Sequence, residues 1–315
     1  MPESTHLLIA FAAGATPQAR EALSALRLPR LERLLQRLRP LPPEPVDEHA
    51  PEMPHERALA RALGLDTPAG RTPWAAHTLH RAGAEPGPHA WAWITPCHWQ
   101  AGMDQVLMQD PAALALDAAH ERALFDAMQA WFADDGLALR LDAPGRWLAR
   151  GELFRDLVSA SVDRVSGRDV AAWMPQSPQA SRLHRLQSEM QMLLYTHPVN
   201  DARAAQGLAP VNSFWVSGAG ALDEAPATTD PPELDLSLRD SALRQDWAAW
   251  AEAWQRLDGT RCAALAAALE RGAPVRLTLC GEQAWQTFEA APQGFLQRIS
   301  GLFGAIPAPK RLEQL

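Results

Sequence analysis

Five short apolar runs constrain this chain most: HLLIAF at residues 6–11, WAWIT at 91–95, LALRLD at 137–142, VNSFWVS at 211–217 and VRLTL at 275–279. Each has the length of a strand and is too short for an ordinary helix, and LALRLD alternates apolar and polar side chains as a half-buried strand does. The stretches between them carry apolar residues at helical spacing. Leu31, Leu34, Leu35 and Leu38 form one such stripe, and Leu243, Trp247, Trp250, Trp254 and Leu257 form another. Strands alternating with helices predict an α/β fold, with a mixed or mostly parallel sheet flanked by helices.

Local signals place the boundaries. Pro17 and Pro29 open helices, and Gly64 ends the helix HERALARALG. Asp117 caps a helix carrying Leu116, Leu124, Met128 and Trp131, with Glu121 at its positive end. Ser177 and Pro178 start a helix running to about Tyr195, with a stripe of Leu183, Leu186, Met190, Leu193 and Leu194. Pro198 starts a short helix that Gly207 ends, and the strand at 211–217 is expected to run into a turn at Gly218 and Gly220. An Ala-rich helix over 261–271 leads into VRLTL. The Pro- and acid-rich stretch 39–54 is expected to be loop or linker, 66–88 irregular and 219–235 a surface loop. The division implied is an N-terminal strand with helices (1–38), a Pro-rich and irregular region (39–88) and a main α/β domain (89–315), with the richest segment at 177–220.

A length of 315 residues suits one large or two smaller domains. The net charge of −8 argues against a general nucleic-acid binder, since that affinity comes from neutralising phosphates. Lys310 is the only lysine, so arginine abundance says little about phosphate recognition. Cys97, Cys262 and Cys280 lie far apart and are odd in number, which fits reduced thiols in a cytoplasmic protein. The start of the chain lacks a basic n-region and carries Glu3, against a signal peptide, and no apolar run nears the roughly 18 residues of a membrane span.

Residues 195–220, YTHPVNDARAAQGLAPVNSFWVSGAG, concentrate the candidate chemistry. His197, Asn200 and Arg203 are three residues apart, so a helix brings them to one side. Arg203 offers a planar fork of donors, and Asn200 and Asn212 both donate and accept. With Ser213 and the backbone at Gly218 and Gly220 they form a candidate site for an anion or phosphorylated metabolite. The structural alternative is that these side chains satisfy loop backbone, that Trp215 anchors the core and that the glycines mark a tight turn.

Leu186, Gln187, Glu189, Gln191, Leu193 and Leu194, followed by His197, Pro198, Val199, Asn200, Arg203, Gly207, Leu208, Pro210, Val211, Asn212, Ser213, Trp215, Gly218 and Gly220, make up a pattern. It resembles the signature of the RpfE-type regulatory proteins of proteobacteria, with Gln187, Glu189, Gln191 and Trp215 as its structural members. That family is similar in this segment to the cofactor-independent phosphoglycerate mutases. The resemblance implies an incomplete alkaline-phosphatase or phosphoglycerate-mutase-like core. In those mutases a Ser or Thr nucleophile works with two divalent metals, Mn or Mg, held by Asp and His. Here HLLIAFAAGAT has no acid after the opening strand, and no histidine follows His197. The expectation is therefore a regulatory protein without catalytic residues or cofactor, which binds a phosphorylated metabolite or a protein partner. The alternative is a metal-dependent phosphoglycerate mutase or related phosphotransferase.

Three further features carry weaker signals. His77 and His80, with His98 and Asp104, show only weak metal-ligand spacing, and Cys97 beside His98 does not suit a nucleophile and base, because strand neighbours point to opposite faces. Trp247, Trp250 and Trp254 are read as core, or, if exposed, as a partner-binding face.

Overall fold

The computed structural model describes residues 5–65, 67–224, 226, 231–290 and 307–315. In chain order it begins with β1 (Thr5–Ile9), α1 (Pro17–Ala25), α2 (Pro29–Arg37), β2 (Arg39–Pro40), β3 (Glu44–Pro45) and α3 (Pro54–Leu63). Next come α4 (Trp74–Arg81), β4 (Ala90–Cys97), β5 (Trp99–Ala101), β6 (Val106–Met108), α5 (Ala118–Asp134), β7 (Ala138–Ala143) and β8 (Arg146–Arg150). They are followed by α6 (Val162–Val165), α7 (Ala180–Tyr195), α8 (Pro198–Ala205) and β9 (Ser213–Ala221). The last stretch contains β10 (Glu233–Asp235), α9 (Arg239–Leu243), α10 (Trp247–Leu257), α11 (Ala263–Glu270), β11 (Val275–Cys280) and β12 (Ala284–Glu289). A short helix, Ala308–Leu312, lies near the end.

The chain forms two compact units: Met1–His49 with Met53–Leu65 and Pro226–Leu315, and Ala50–Glu52 with Asp66–Ala225. The divisions expected at residues 38 and 88 follow the chain, whereas both units are assembled from separated pieces.

The first unit is built on a mixed sheet of order β10-β1-β11-β12-β2, with β3 also on β12. β1 lies parallel to both β10 and β11, Leu7 pairing with Glu233 on one side and with Leu277 on the other. β12 then returns antiparallel to β11. Burial on both faces explains the unbroken apolar run of β1. Leu7, Ile9, Leu277 and Leu279 pack under Leu23, Leu31, Leu34, Trp250, Trp254 and Leu265 from α1, α2, α10 and α11. Leu8, Cys280 and Trp285 face Ala58 of α3 on the other side. The expected α/β fold with a mixed sheet flanked by helices is therefore observed.

The 39–54 stretch is not wholly loop, because Pro40 and Pro45 sit opposite Phe288 and Ala284 in β2 and β3 at the margin of the sheet, where a missing N–H is tolerated. A turn of π-helix, Asp258–Cys262, separates α10 from α11. Its Asp258 carboxylate accepts from Leu31 N at 2.7 Å and Arg30 N at 3.3 Å, and so caps α2 from a distance. Leu28, at the cap position of α2, has no side chain for that task.

The second unit holds an antiparallel sheet of order β7-β8-β4-β9. Phe132 of α5 and Leu186, Met190 and Leu194 of α7 cover one face, meeting Ile94, Phe214 and Val216. Ala75, Ala76 and Leu79 of α4 cover Trp91 and Leu148 on the other. Helix α4 lies in the stretch expected to be irregular. No side chain caps it, and burial of Trp74, Ala75, Ala76, His77 and Leu79 holds it in place. Asp117 caps α5 as expected, accepting from His120 N at 2.7 Å. Glu121 instead turns inward, its Oε1 accepting from Trp147 Nε1 at 3.0 Å and Gly145 N at 2.8 Å.

Candidate functional site

Residues 195–220 all lie in the second unit. Helix α7 ends at Tyr195, and His197 caps α8, its Nδ1 accepting from Val199 N at 3.3 Å. Pro198 follows at the first helical position, where its missing N–H costs nothing. Gly207, at φ 71°, ends the helix in the left-handed conformation expected from the sequence.

Asn200 and Arg203 are brought together on the buried side of α8. Asn200 Nδ2 donates to Leu194 O and Val211 O, and its Oδ1 accepts from Val211 N, each at 2.8 Å. Arg203 is 0% exposed; its Nε donates to Ala209 O at 2.9 Å and its Nη2 to Leu114 O at 2.5 Å. Its Nη1 is buried without a hydrogen-bond partner among the described residues. Burial pulls the Arg203 pKa below the ordinary arginine value, against the favourable charge of Asp117. Asn212 treats β5 likewise, Oδ1 accepting from Trp99 N at 2.7 Å and Nδ2 donating to Trp99 O at 2.9 Å. Three of the candidate ligand-binding side chains thus aim their amide or guanidinium atoms at backbone, where they join segments that secondary structure leaves unpaired.

The glycines differ from expectation. Strand β9 runs through Gly218 and Gly220 to Ala221, so they form no turn. Its pairing with β4 slips between Trp91 and Trp93, and Gly218 adopts φ 60° opposite that irregularity. A Cβ on Gly218 would lie 2.9 Å from both Trp74 Cβ and Trp93 Cε3, so glycine serves close packing here. Ser213 is fully buried at the start of the strand. Gln187 Nε2 donates to Phe214 O at 3.1 Å, and Trp215 Nε1 donates to Ala160 O at 2.8 Å from within a core that includes Cys97 and Val165. Glu189 is half-buried on α7.

The partner-face alternative for the tryptophan stripe is corrected for two of its members. Trp250 and Trp254 are fully buried in the first unit, and their indole N–H groups donate to Phe11 O at 2.9 Å and Ala12 O at 3.2 Å. Trp247 packs partly buried, edge-on to Trp250. The loop after β1 is therefore roofed by indoles, and residues 10–15 carry no ionisable side chain. This loop is where the mutase resemblance would require acids for Mn or Mg. Among the described residues no three His, Cys, Asp or Glu gather in a way that could hold a metal ion. The described donor set does not fit a two-metal centre. His77 is buried beside Trp74, and His98 Nδ1 lies 2.9 Å from Pro210 O.

Sequence reasoning missed one feature. An open groove of about 400 Å³ runs between α7 and the β5–β6 hairpin, lined by Trp99, Val106, Val170, Gln191, Tyr195 and Asn212. None of these side chains is charged at neutral pH. Tyr195 is 87% exposed and Met192, three residues earlier on the same helix, is 77% exposed. The signal lay in the sequence QMLLY, where Met192 and Tyr195 stand outside the buried stripe.

No protein-family model matches the chain, and no curated protein matches it. Among solved structures the chain is similar to a cofactor-independent phosphoglycerate mutase from Thermoplasma acidophilum DSM 1728, at 16% identity and a TM-score of 0.38, covering 100% of this chain and 99% of that chain. It is also similar to the PH0037 protein from Pyrococcus horikoshii, at 13% identity and a TM-score of 0.47, covering 92% of this chain and 88% of that chain. No helix among the described residues is long and apolar enough to cross a membrane.

Proposed function

We propose that this chain is a non-catalytic regulatory protein of the RpfE type, related to the phosphoglycerate mutases, and that it acts by docking apolar side chains of a protein partner. The groove beside Trp99 carries this reading. Its lining is aromatic, aliphatic and amide and includes the exposed Tyr195, and Met192 stands exposed one turn earlier on the same helix. Aromatic anchors of this kind dominate interface energetics. A phosphorylated metabolite finds less support at the signature segment, because Arg203 directs Nε and Nη2 to carbonyl oxygens. The indole-roofed loop after β1 supports a role without metal chemistry.

The test places a benzophenone amino acid at Met192 in cells and purifies the adduct. A discrete protein that then binds the purified wild-type chain, and binds Tyr195→Arg at least tenfold more weakly, is the expected outcome. A coupled assay converting 3-phosphoglycerate to 2-phosphoglycerate with added Mn2+ is run on the same protein. Turnover above the metal blank would overturn the non-catalytic reading. A melting shift with 3-phosphoglycerate that is lost in Arg203→Ala, without any adduct at Met192, would favour the metabolite.

A further inference from the structure

Where α4 leaves it uncovered, the face of the second unit's sheet that holds Trp91 carries two exposed arginines. Trp91 lies directly opposite Arg150 in the β4–β8 pairing, and Arg150 lies opposite Ala138 in the β8–β7 pairing. Arg140, two residues along from Ala138, therefore shares that face. The guanidinium carbons of Arg140 and Arg150 stand 5.3 Å and 5.9 Å from the centre of the Trp91 ring system. Both arginines are exposed, while Trp91 is nearly covered.

Neighbouring Arg146 shows how such a group is usually neutralised. It stacks 4.5 Å from the Trp93 ring, and Asp142 holds it through contacts of 2.9 Å to Nε and 2.8 Å to Nη2. Arg140 and Arg150 make no side-chain hydrogen bond or ion pair with any described residue. Two like charges thus contact one indole, and neither has an ion-pair partner among the described residues. Repulsion between them opposes the folded state, and an oxyanion between them reverses its sign. Contact with Trp91 restricts both guanidiniums, and their N–H groups donate to no described residue, which leaves them for a ligand. A planar fork so held is suited to bidentate contact with phosphate or carboxylate oxygens.

We propose that Arg140 and Arg150, stacked on Trp91, form a binding site for a phosphate-type oxyanion on the face of the second unit's sheet. The site shares no lining residue with the groove beside Trp99 and does not rest on that reading. A purely solubilising cover over Trp91 would use the arginine stems in the same way, so the test removes charge and keeps the stem.

The full chain is labelled with 15N, and the arginine Nε–Hε resonances are followed while inorganic phosphate is added at constant ionic strength, with acetate in a parallel titration. Saturable shifts of the Arg140 and Arg150 signals with phosphate are expected. Arg140→Gln and Arg150→Gln, with melting temperatures checked, should each weaken the dissociation constant about tenfold, or about 1.4 kcal/mol. Arg122→Gln, which removes a cation already paired with Asp126, should leave it unchanged. Shifts that do not saturate, or that persist in both Gln variants, would overturn the site. Saturation by acetate at equal strength would overturn its assignment to phosphate and leave a carboxylate as the ligand.

Discussion

Asn200 and Val211 exchange two hydrogen bonds, Nδ2 to carbonyl and N–H to Oδ1, both at 2.8 Å, across eleven residues of chain. A side-chain amide here does what a neighbouring strand does elsewhere, and it fixes the approach of β9 to the end of α7. Asn200→Ala leaves the buried Val211 N–H without its acceptor and should destabilise the second unit by about 2–4 kcal/mol, given about 1–3 kcal/mol for each orphaned group. Asn200→Asp keeps the acceptor but turns an anion toward Leu194 O and Val211 O, and should destabilise at least as much. Urea denaturation of the three proteins measures both effects; equal midpoints would show that the latch carries no energy.

Gly218 is a packing residue by the geometry of Trp74 and Trp93. Gly218→Ala combines a left-handed backbone with a 2.9 Å contact to each and should lower stability by about 1–3 kcal/mol. Gly207 adopts a similar φ, but a Cβ there meets nothing within 4 Å, so Gly207→Ala should cost only the conformational part. Thermal melts of the pair separate strain from crowding.

His6 gives the first unit a pH dependence. Its ring lies 2.8 Å from Thr278 Oγ1, and burial, aided by the charge of Arg276, lowers its pKa from 6.5 to about 4. The unfolded chain takes up the proton first. Stability is therefore complete above pH 6.5 and falls as the pH drops toward 4, by up to about 3 kcal/mol. His6→Gln should flatten the denaturation midpoint over that window. A midpoint profile identical to wild type would remove His6 as the cause.

The three thiols should be silent in the folded protein. Cys97, Cys262 and Cys280 are free and buried, and burial raises each pKa, that of Cys262 to about 12 with help from Asp258 and Asp235. Ellman's reagent at pH 8 should titrate none of them before denaturant is added and all of them afterwards. Rapid labelling of the native protein would contradict this packing.

What could be read from the sequence was what neighbours decide. Pro17, Pro29 and Pro198 stand at helix starts, and Gly64 and Gly207 close their helices, because capping depends on a few adjacent residues, whereas Ser177 does not cap α7, which begins at Ala180. The apolar runs became β1, β4, β7, β9 and β11 for the same local reason. β10 escaped notice because three residues form a strand only where Leu7 and Ile9 offer an edge more than two hundred positions away. Gly218 misled because a bulge and a turn ask the same freedom of glycine. Arg203 and Asn200 were correctly placed on one side of a helix, but their acceptors include Leu114 O and Val211 O, which no spacing in the sequence announces. The groove was hidden since its far wall, Trp99 and Val106, belongs to a hairpin too short to leave a periodic pattern.

The placement of β1 between β10 and β11 has a consequence during synthesis. Nearly everything the second unit needs has left the ribosome once residue 225 is out, so that unit can close early. β1 emerges before every other strand described, yet both of its neighbours come only after residue 232. For most of translation the run LLIAF has no partner, and the nascent chain carries it as an unprotected aggregation-prone segment. Chaperone occupancy on translating ribosomes should accordingly persist until VRLTL appears, long after the middle of the protein has become resistant to protease.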